Sequence, residues 1–356
     1  MLQQFNMDEQ KEIIRLTQYS SGAGCGCKIS PAVLKEILMT SDELPADPKL
    51  LVGNDTNDDA SVYDLEDGNC LISTTDFFMP VVDDPYTFGK IAATNALSDV
   101  YAMGGRPLTA LAILGWPISK LPAPLAQQVL EGARFVCRVA GITLAGGHSI
   151  ESAEPIFGLS VNGLVSKKNI KRNNTAQKGD LLFMTKPLGV GIVTTAAKRG
   201  LDKDDHLETC IRYMSTLNKI GESLGEMACI HAMTDITGFG LAGHLLEMCE
   251  GSGLSAEISF DKVAVMPFLK EYISQFIYPD MTMKNFSFYS SKLNELNAEQ
   301  LITLCDPQTS GGLLIAVAPN AKDEFINHGR NFGLPENMLE PIGVFTELRE
   351  KGIYVS

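Results

Sequence analysis

The sequence predicts a two-domain α/β protein. Three observations lead there. The chain has 356 residues, and at roughly 100–200 residues per domain that length suggests two domains. Short apolar runs of strand length alternate with longer Ala- and Leu-rich runs of helix length, the pattern of α/β folds. The pattern breaks between Ser166 and Gly179, where Lys167, Lys168, Lys171, Arg172 and Lys178 surround Asn173-Asn174 without core periodicity. That stretch reads as a solvated inter-domain connection, with a basic ligand patch as the alternative. The expected division is a mobile N-terminal segment over residues 1–49, an α/β domain over 50–170 and a second α/β domain over 171–356.

The elements follow in order. Ser20-Ser21-Gly22-Ala23-Gly24-Cys25-Gly26-Cys27-Lys28 holds three glycines in five residues, too many for a stable helix or strand, so it reads as a mobile loop. Ser30-Pro31 then starts a helix through Leu38, with Ser at the cap and Pro in the first turn. Leu50–Val52 and Cys70–Thr75 read as strands, Pro85–Met103 as an Ala-rich helix, and Leu108–Leu114 as a buried strand. A helix over Leu121–Val139 and strands over Gly141–Ala145 and Pro155–Val165 complete the first half. The second half opens with a strand at Leu181–Met184. Helices over 189–199 and 207–228, a strand at Ile230–Met233, a helix at Gly240–Glu250 and a strand at Gly312–Val317 follow.

Composition excludes several classes. The apolar fraction is 45% and the charged fraction 20%, ordinary globular usage. Net charge is −14, so the chain repels a phosphate backbone and broad nucleic-acid binding is not expected. A bound nucleotide would need a cation between itself and this protein. No run of about 18 apolar residues predicts a membrane span, and the N-terminus lacks the basic and apolar regions of a signal peptide. A cytoplasmic protein is the expectation. Eight cysteines are too sparse for a disulfide scaffold, and six read as reduced, mostly buried thiols.

Three sets of residues could carry chemistry. The first is carboxylates. Asp58-Asp59 closes the polar run Asn54-Asp55-Thr56-Asn57. Asp76 ends the strand Ser73-Thr74-Thr75, and Asp235 ends another. Asp99 follows Asn95 by four residues on the Ala-rich helix, so the two share a face. Strand ends and adjoining turns are where α/β proteins place ligands, and carboxylates there suit Mg²⁺ with substrate phosphates. Each Asp could instead cap a turn or helix. The second set is the glycine pairs Gly104-Gly105, Gly146-Gly147-His148-Ser149 and Thr309-Ser310-Gly311-Gly312. They read as tight turns, or as turns whose N–H groups cradle phosphate. The third is Cys25-Gly26-Cys27-Lys28: a lysine beside a thiol favours the nucleophilic thiolate, while a soft-metal or redox pair is also open. The P-loop pattern is absent. Gly238-Phe239-Gly240-Leu241-Ala242-Gly243 matches the dinucleotide pattern, but Asp235-Ile236-Thr237 intervenes where a strand should run into the first glycine.

Taken together and in order, these segments resemble the selenophosphate synthetases (selenide, water dikinases). The likeness rests on Gly22–Lys28, Asp58-Asp59-Ala60, Ser73–Phe78, Ala92–Asp99 with Met103-Gly104-Gly105, Leu144–Ser149, Met233–Gly240 and Cys305–Gly312. The Cys-Gly-Cys-Lys loop is the most specific; the Asp and Gly-Gly motifs are shared with aminoimidazole ribonucleotide synthetase-like enzymes. The resemblance implies a two-domain α/β fold whose N-terminal domains, carrying the ATP and metal site, pair into a β-barrel in a homodimer. It implies ATP + selenide + water → selenophosphate + AMP + phosphate, with Mg²⁺ required, K⁺ as activator and a selenium-delivery protein as a possible partner. Carried over, Cys25 handles selenide and Lys28 lies near the transferred phosphoryl group and ATP. Asp59, Asp99 and Asp235 become Mg²⁺ ligands. Thr56, Asn57, Asp58, Asp76, Asp99, Gly147, His148 and Ser149 become ATP contacts. Some members carry selenocysteine at the position of Cys25, and part of the family lacks Cys27. The alternatives are another ATP-dependent member of the superfamily and a redox or soft-metal binding protein.

Overall fold

The computed structural model describes residues 14–27, 29, 33, 36, 37, 47–53, 58–203 and 205–356, excluding the side chains of Cys25 and Cys27. Most of the helix expected over 30–38 lies outside the described residues, as do Lys28, Thr56 and Asn57.

The first half builds one six-stranded sheet. It contains β1 (Leu50–Val52), β2 (Ser61–Asp64), β3 (Asn69–Phe78), β4 (Arg106–Trp116), β5 (Thr143–Glu151) and β6 (Ile156–Ser166). Their spatial order is β1-β2-β3-β6-β4-β5, with only β4 and β5 parallel among neighbours. The inner face is set by period-two alternation: Cys70, Ile72 and Phe78 on β3 and Phe157, Leu159 and Val161 on β6 are buried. Helices α1 (Pro85–Ala102) and α2 (Ala123–Val139) pack there. Asp84 caps α1 by accepting from the Thr87 N–H at 2.7 Å, with Pro85 in the first turn, the combination that starts a helix. Helix α1 is small and apolar all round, which reads as a buried helix, and almost every residue in it is buried. The helices cross closely at Gly89 and Gly132: a Cβ on either would lie about 2 Å from a backbone carbonyl of the other helix.

The second half builds a second six-stranded sheet in the order β12-β9-β11-β7-β10-β8. Its strands are β7 (Leu181–Met184), β8 (Ile230–Asp235), β9 (Leu254–Ile258), β10 (Leu313–Val317), β11 (Gly343–Glu347) and β12 (Ile353–Val355). Both faces are covered, so β10 is buried along its whole length. One face packs on a cluster around Leu241, Leu245 and Met248, the other around Phe325 and Leu224. The helices are α3 (Val190–Lys198), α4 (His206–Met214), α5 (Ile220–Gly225), α6 (Gly240–Ser252), α7 (Leu269–Ile273), α8 (Asp280–Tyr289), α9 (Ala298–Leu304) and α10 (Lys322–Phe332).

Several expectations need correction. Asp76 does not end its strand: β3 continues to Phe78, because Phe77 and Phe78 still pair with β6. Gly146–Ser149 is not a turn but lies inside β5, paired with Leu111–Leu114 of β4; the glycines belong to a strand that begins two residues later than expected. The strand around Leu108–Leu114 is buried on one face only, with Leu108 and Leu111 exposed. The helix expected over 207–228 is two, divided at Ser215–Lys219, where buried Asn218 bonds to Ser98 and Gly311 instead of continuing a helix face. The basic stretch after β6 is not simply solvated. Lys171 is buried and donates to the Met227 and Ile230 carbonyls at 2.9 Å each, and Arg172 donates to the Leu51 carbonyl at 3.0 Å.

Candidate active site

The carboxylates meet at the seam between the two sheets. Thr74 and Asp76 lie on the inner face of β3, opposite α1. Across from them, Asn95 and Asp99 share one face of α1, as their spacing requires. Asn95 Nδ2 donates to Asp76 Oδ2 at 2.6 Å, and the Thr74 hydroxyl donates to Asp99. The second half closes the site. The Ser310 N–H donates to Asn95 Oδ1 at 2.7 Å, and the Thr234 hydroxyl, one residue before Asp235, donates to Asp59 Oδ1 at 2.8 Å. Asp58 accepts from the Asn173 N–H at 2.7 Å. Each half thus contributes groups that the other half holds.

The electrostatics identify the centre. Burial, reinforced by the negative charges of Asp235 and Asp99, pushes the Asp59 carboxyl well above the usual carboxylate range. Only charges that stand close together act so. Asp59 Oδ2 is buried with no hydrogen-bond partner among the described residues. A cation between these groups would supply what that oxygen lacks. The donors are hard oxygens, which fits Mg²⁺. Among the described residues no three His, Cys, Asp or Glu side chains form a group that by itself could hold a metal ion. Magnesium commonly takes one or two carboxylates and completes its shell with water and phosphate oxygens.

Two groups at this seam are not evident from spacing. Lys186, two residues beyond β7, is buried, and its Nζ donates to the Ser310 carbonyl at 2.8 Å. Burial brings its pKa down to about 7, against the opposing pull of Asp235. Ser310 has φ +52°, an uncommon value for a residue with a side chain. It is held there by the bonds from Lys186 and to Asn95. A lysine two residues after an all-apolar strand is the available sequence signal for Lys186.

The glycine-cysteine segment sits beside this seam. Its backbone forms a short 3₁₀ turn over Gly24–Cys27. The Gly24 N–H donates to the Met79 carbonyl at 3.0 Å. Gly24 has φ +53°, and a Cβ there would lie 2.3 Å from Thr309 Oγ1, so only glycine fits. The Ser21 N–H and hydroxyl donate to Glu154 at 3.1 and 3.2 Å. Lys198 of α3 donates to the Ser20 and Gly22 carbonyls at 3.0 and 3.1 Å. The turn is therefore tied to both halves.

Gly147, His148 and Ser149 lie apart from the carboxylates. Asp76, Leu159, Ala112 and Gly147 form one cross-strand row over β3, β6, β4 and β5. Three strand spacings put Gly147 about 14 Å from Asp76, on an exposed edge strand. The Gly238–Gly243 motif is a turn beside Asp235: Gly240, with φ +70°, opens α6, and the Thr237 carbonyl accepts from Gly240 and Gln308.

Residues 57–165 match the model of the AIR synthase related protein N-terminal domain, and residues 177–356 its C-terminal domain. A selenide, water dikinase of Colwellia psychrerythraea is 56% identical over 330 residues, covering 93% of this chain and 95% of that protein. The chain belongs to the selenide, water dikinase family. Another member, from Escherichia coli O139:H28, is 54% identical over 321 residues, covering 90% of this chain and 92% of that one. Among solved structures, a thiamine-monophosphate kinase from Stenotrophomonas maltophilia shares the fold with a TM-score of 0.63 at 19% identity, over 87% of this chain and 92% of that one. The hydrogenase maturation protein HypE in complex with ATP does so with a TM-score of 0.61 at 18% identity, over 87% of this chain and 86% of that one. The expected superfamily fold is thus present in a family member whose two sheets meet at the carboxylate seam.

Proposed function

We propose that this seam holds ATP through Mg²⁺ and that the turn carrying Cys25 brings selenium chemistry to it. As a member of the selenide, water dikinase family, the chain is an enzyme that makes selenophosphate from selenide, ATP and water. The proposal adds AMP and phosphate as the other products. The observation that carries it is the buried Asp59 Oδ2, partnerless among the described residues, at a junction where the Thr234 hydroxyl, one residue before Asp235, donates to Asp59 Oδ1 and the charges of Asp235 and Asp99 act on Asp59.

Asp59, Asp99 and Asp235 would hold Mg²⁺, which supplies charge neutralisation on the phosphates. This answers the problem set by a net charge of −14. Phosphoryl transfer is chiefly positioning and charge stabilisation, and the protein groups suit that task. Asn95 fixes Asp76 on one side and Ser310 on the other, so the two halves present a set geometry to the nucleotide. Asp58, Asp76 and Asp99 are the proposed ATP contacts within the seam, with Thr56, Asn57 and Lys28 outside the described residues. Contacts from Gly147, His148 and Ser149 belong to the exposed edge. HypE, which shares the fold, was solved in complex with ATP, which supports ATP as a ligand for this fold. Cys25 is the proposed selenide-handling group and Lys28 the basic group near the transferred phosphoryl.

A homodimer is part of the proposal. On the outer face of the first sheet Phe77, Leu111 and Ile150 are 50%, 44% and 61% exposed, apolar area that a second copy would cover. K⁺ activation, cytoplasmic location and a selenium-delivery partner belong to the same reading. No helix among the described residues is long and apolar enough to cross a membrane.

Anaerobic ³¹P NMR with ATP, Mg²⁺ and K⁺ tests the reaction. Selenide-dependent selenophosphate with AMP and phosphate in equal amounts is the expected result. ATP loss that ends at ADP, or that ignores selenide, would overturn it.

A further inference from the structure

A cavity of about 460 Å³ lies against the turn that carries Cys25. It does not include the carboxylate seam. Ser21–Ala23 and Gly26 form one wall, α3 and the start of α8 the other, and Pro307 and Thr309 also line it. Thr309 precedes Ser310, whose N–H is bound to Asn95 in the seam. One loop therefore separates the cavity from the carboxylates.

Its charge is opposite to that of the chain. Among the described residues, Lys198, Arg199 and Lys284 line it against a single acid, Asp280, although the protein carries −14 overall. Lys198 is occupied in holding the Ser20 and Gly22 carbonyls, and among the described residues Arg199 donates to the Tyr278 carbonyl alone, at 3.5 Å. Arg199 and Lys284 are exposed. Met79 and Met281 add two thioethers to the lining, soft and polarizable groups. The cations attract a small anion, and the polarizable thioethers add dispersion contact with a large, polarizable atom. A polyphosphate that travels with Mg²⁺ is better served by the seam, whose oxygen donors suit that cation.

We propose that this cavity is the port through which the small selenium anion, hydroselenide, reaches the turn bearing Cys25. The proposal rests on the selenophosphate reading above for the identity of the anion. Hydroselenide approaching from the carboxylate side would meet like charge; from this side it meets attraction, which raises its local concentration. ATP and selenium would then enter from opposite sides of the Thr309–Ser310 loop, each by the face whose charge suits it.

The test uses the full chain and the double variant Arg199→Gln/Lys284→Gln, both positions exposed and so tolerant of substitution. Anaerobic ⁷⁷Se NMR of hydroselenide with the ATP-free protein reads binding without turnover. The parent should broaden the resonance and the variant should broaden it less. In steady-state assays KM for selenide should rise roughly fivefold, as for two charges lost in a solvent-like dielectric, while KM for ATP holds. Equal broadening by both proteins, or none by the parent, would overturn the port. So would an unchanged KM for selenide. Charge-dependent broadening by a parent that makes no selenophosphate would leave the port standing and refute the activity.

Discussion

Replacing Asp59 with Asn should make the ligand-free protein more stable while weakening its hold on Mg²⁺-ATP. Asp59 Oδ2 is buried without a partner among the described residues, and the charges of Asp235 and Asp99 oppose its ionisation. An unsatisfied buried polar atom costs about 1–3 kcal/mol, more when charged. Asn keeps the acceptor that Thr234 uses at 2.8 Å. It exchanges the partnerless oxygen for an amide that can donate toward the neighbouring carboxylates. The expected gain is therefore about 1–3 kcal/mol, with Tm rising roughly 2–4 °C for each kcal/mol. The same change removes a negative ligand, and Kd for Mg²⁺-ATP should rise at least about tenfold, or roughly 1.4 kcal/mol. Calorimetric melting with and without Mg²⁺-ATP reads both effects, because the rise in Tm at a fixed nucleotide concentration grows with the logarithm of the affinity. A lower Tm in the ligand-free variant, or an undiminished nucleotide-induced rise, would refute the reasoning. The trade is the one expected where function keeps charge in an uncomfortable place.

Three other outcomes follow from the same geometry. Asn95→Ala strands the Ser310 N–H and frees Asp76, so denaturant unfolding should show a loss of about 1–3 kcal/mol and KM for ATP should rise; a silent variant would remove Asn95 as the bridge between the halves. Lys186→Met tests the buried amine. The unfolded lysine keeps its proton to about pH 10.4, whereas the folded one gives it up near 7. Between those values the unfolded state binds more protons, so this group makes stability rise with pH above about 7. Urea unfolding from pH 7 to 9 should show a flatter profile for the variant, and identical slopes would contradict the depressed value. Leu111→Lys on the outer face of β4 should leave the fold intact and convert a dimer to monomer by light scattering, and an unaltered mass would exclude that face as the interface.

The sequence alone determined what local physics controls. The strands at Leu50–Val52, Leu181–Met184 and around Ile230 announce themselves by apolar runs of the right length. The helix from Pro85 follows from its cap, its first-turn proline and its small residues. The pairing of Asn95 with Asp99 on one face follows from a spacing of four. The motif order from Gly22 to Gly312 also pointed to the family that the relatives establish.

Tertiary structure decided what depends on distance across the chain. Asp59 and Asp235 are 176 positions apart, and no periodicity relates them; they act on one another because β8 ends where the β1–β2 loop arrives. Gly146 and Gly147 look like a turn in sequence, yet pairing with β4 makes them strand, since ladder bonds to a neighbour outweigh the local freedom of glycine. Lys171 reads as part of a solvated connection, and no spacing singles out Lys186. Each is buried because backbone carbonyls from distant elements accept from its ammonium, and such acceptors exist only once the chain has folded.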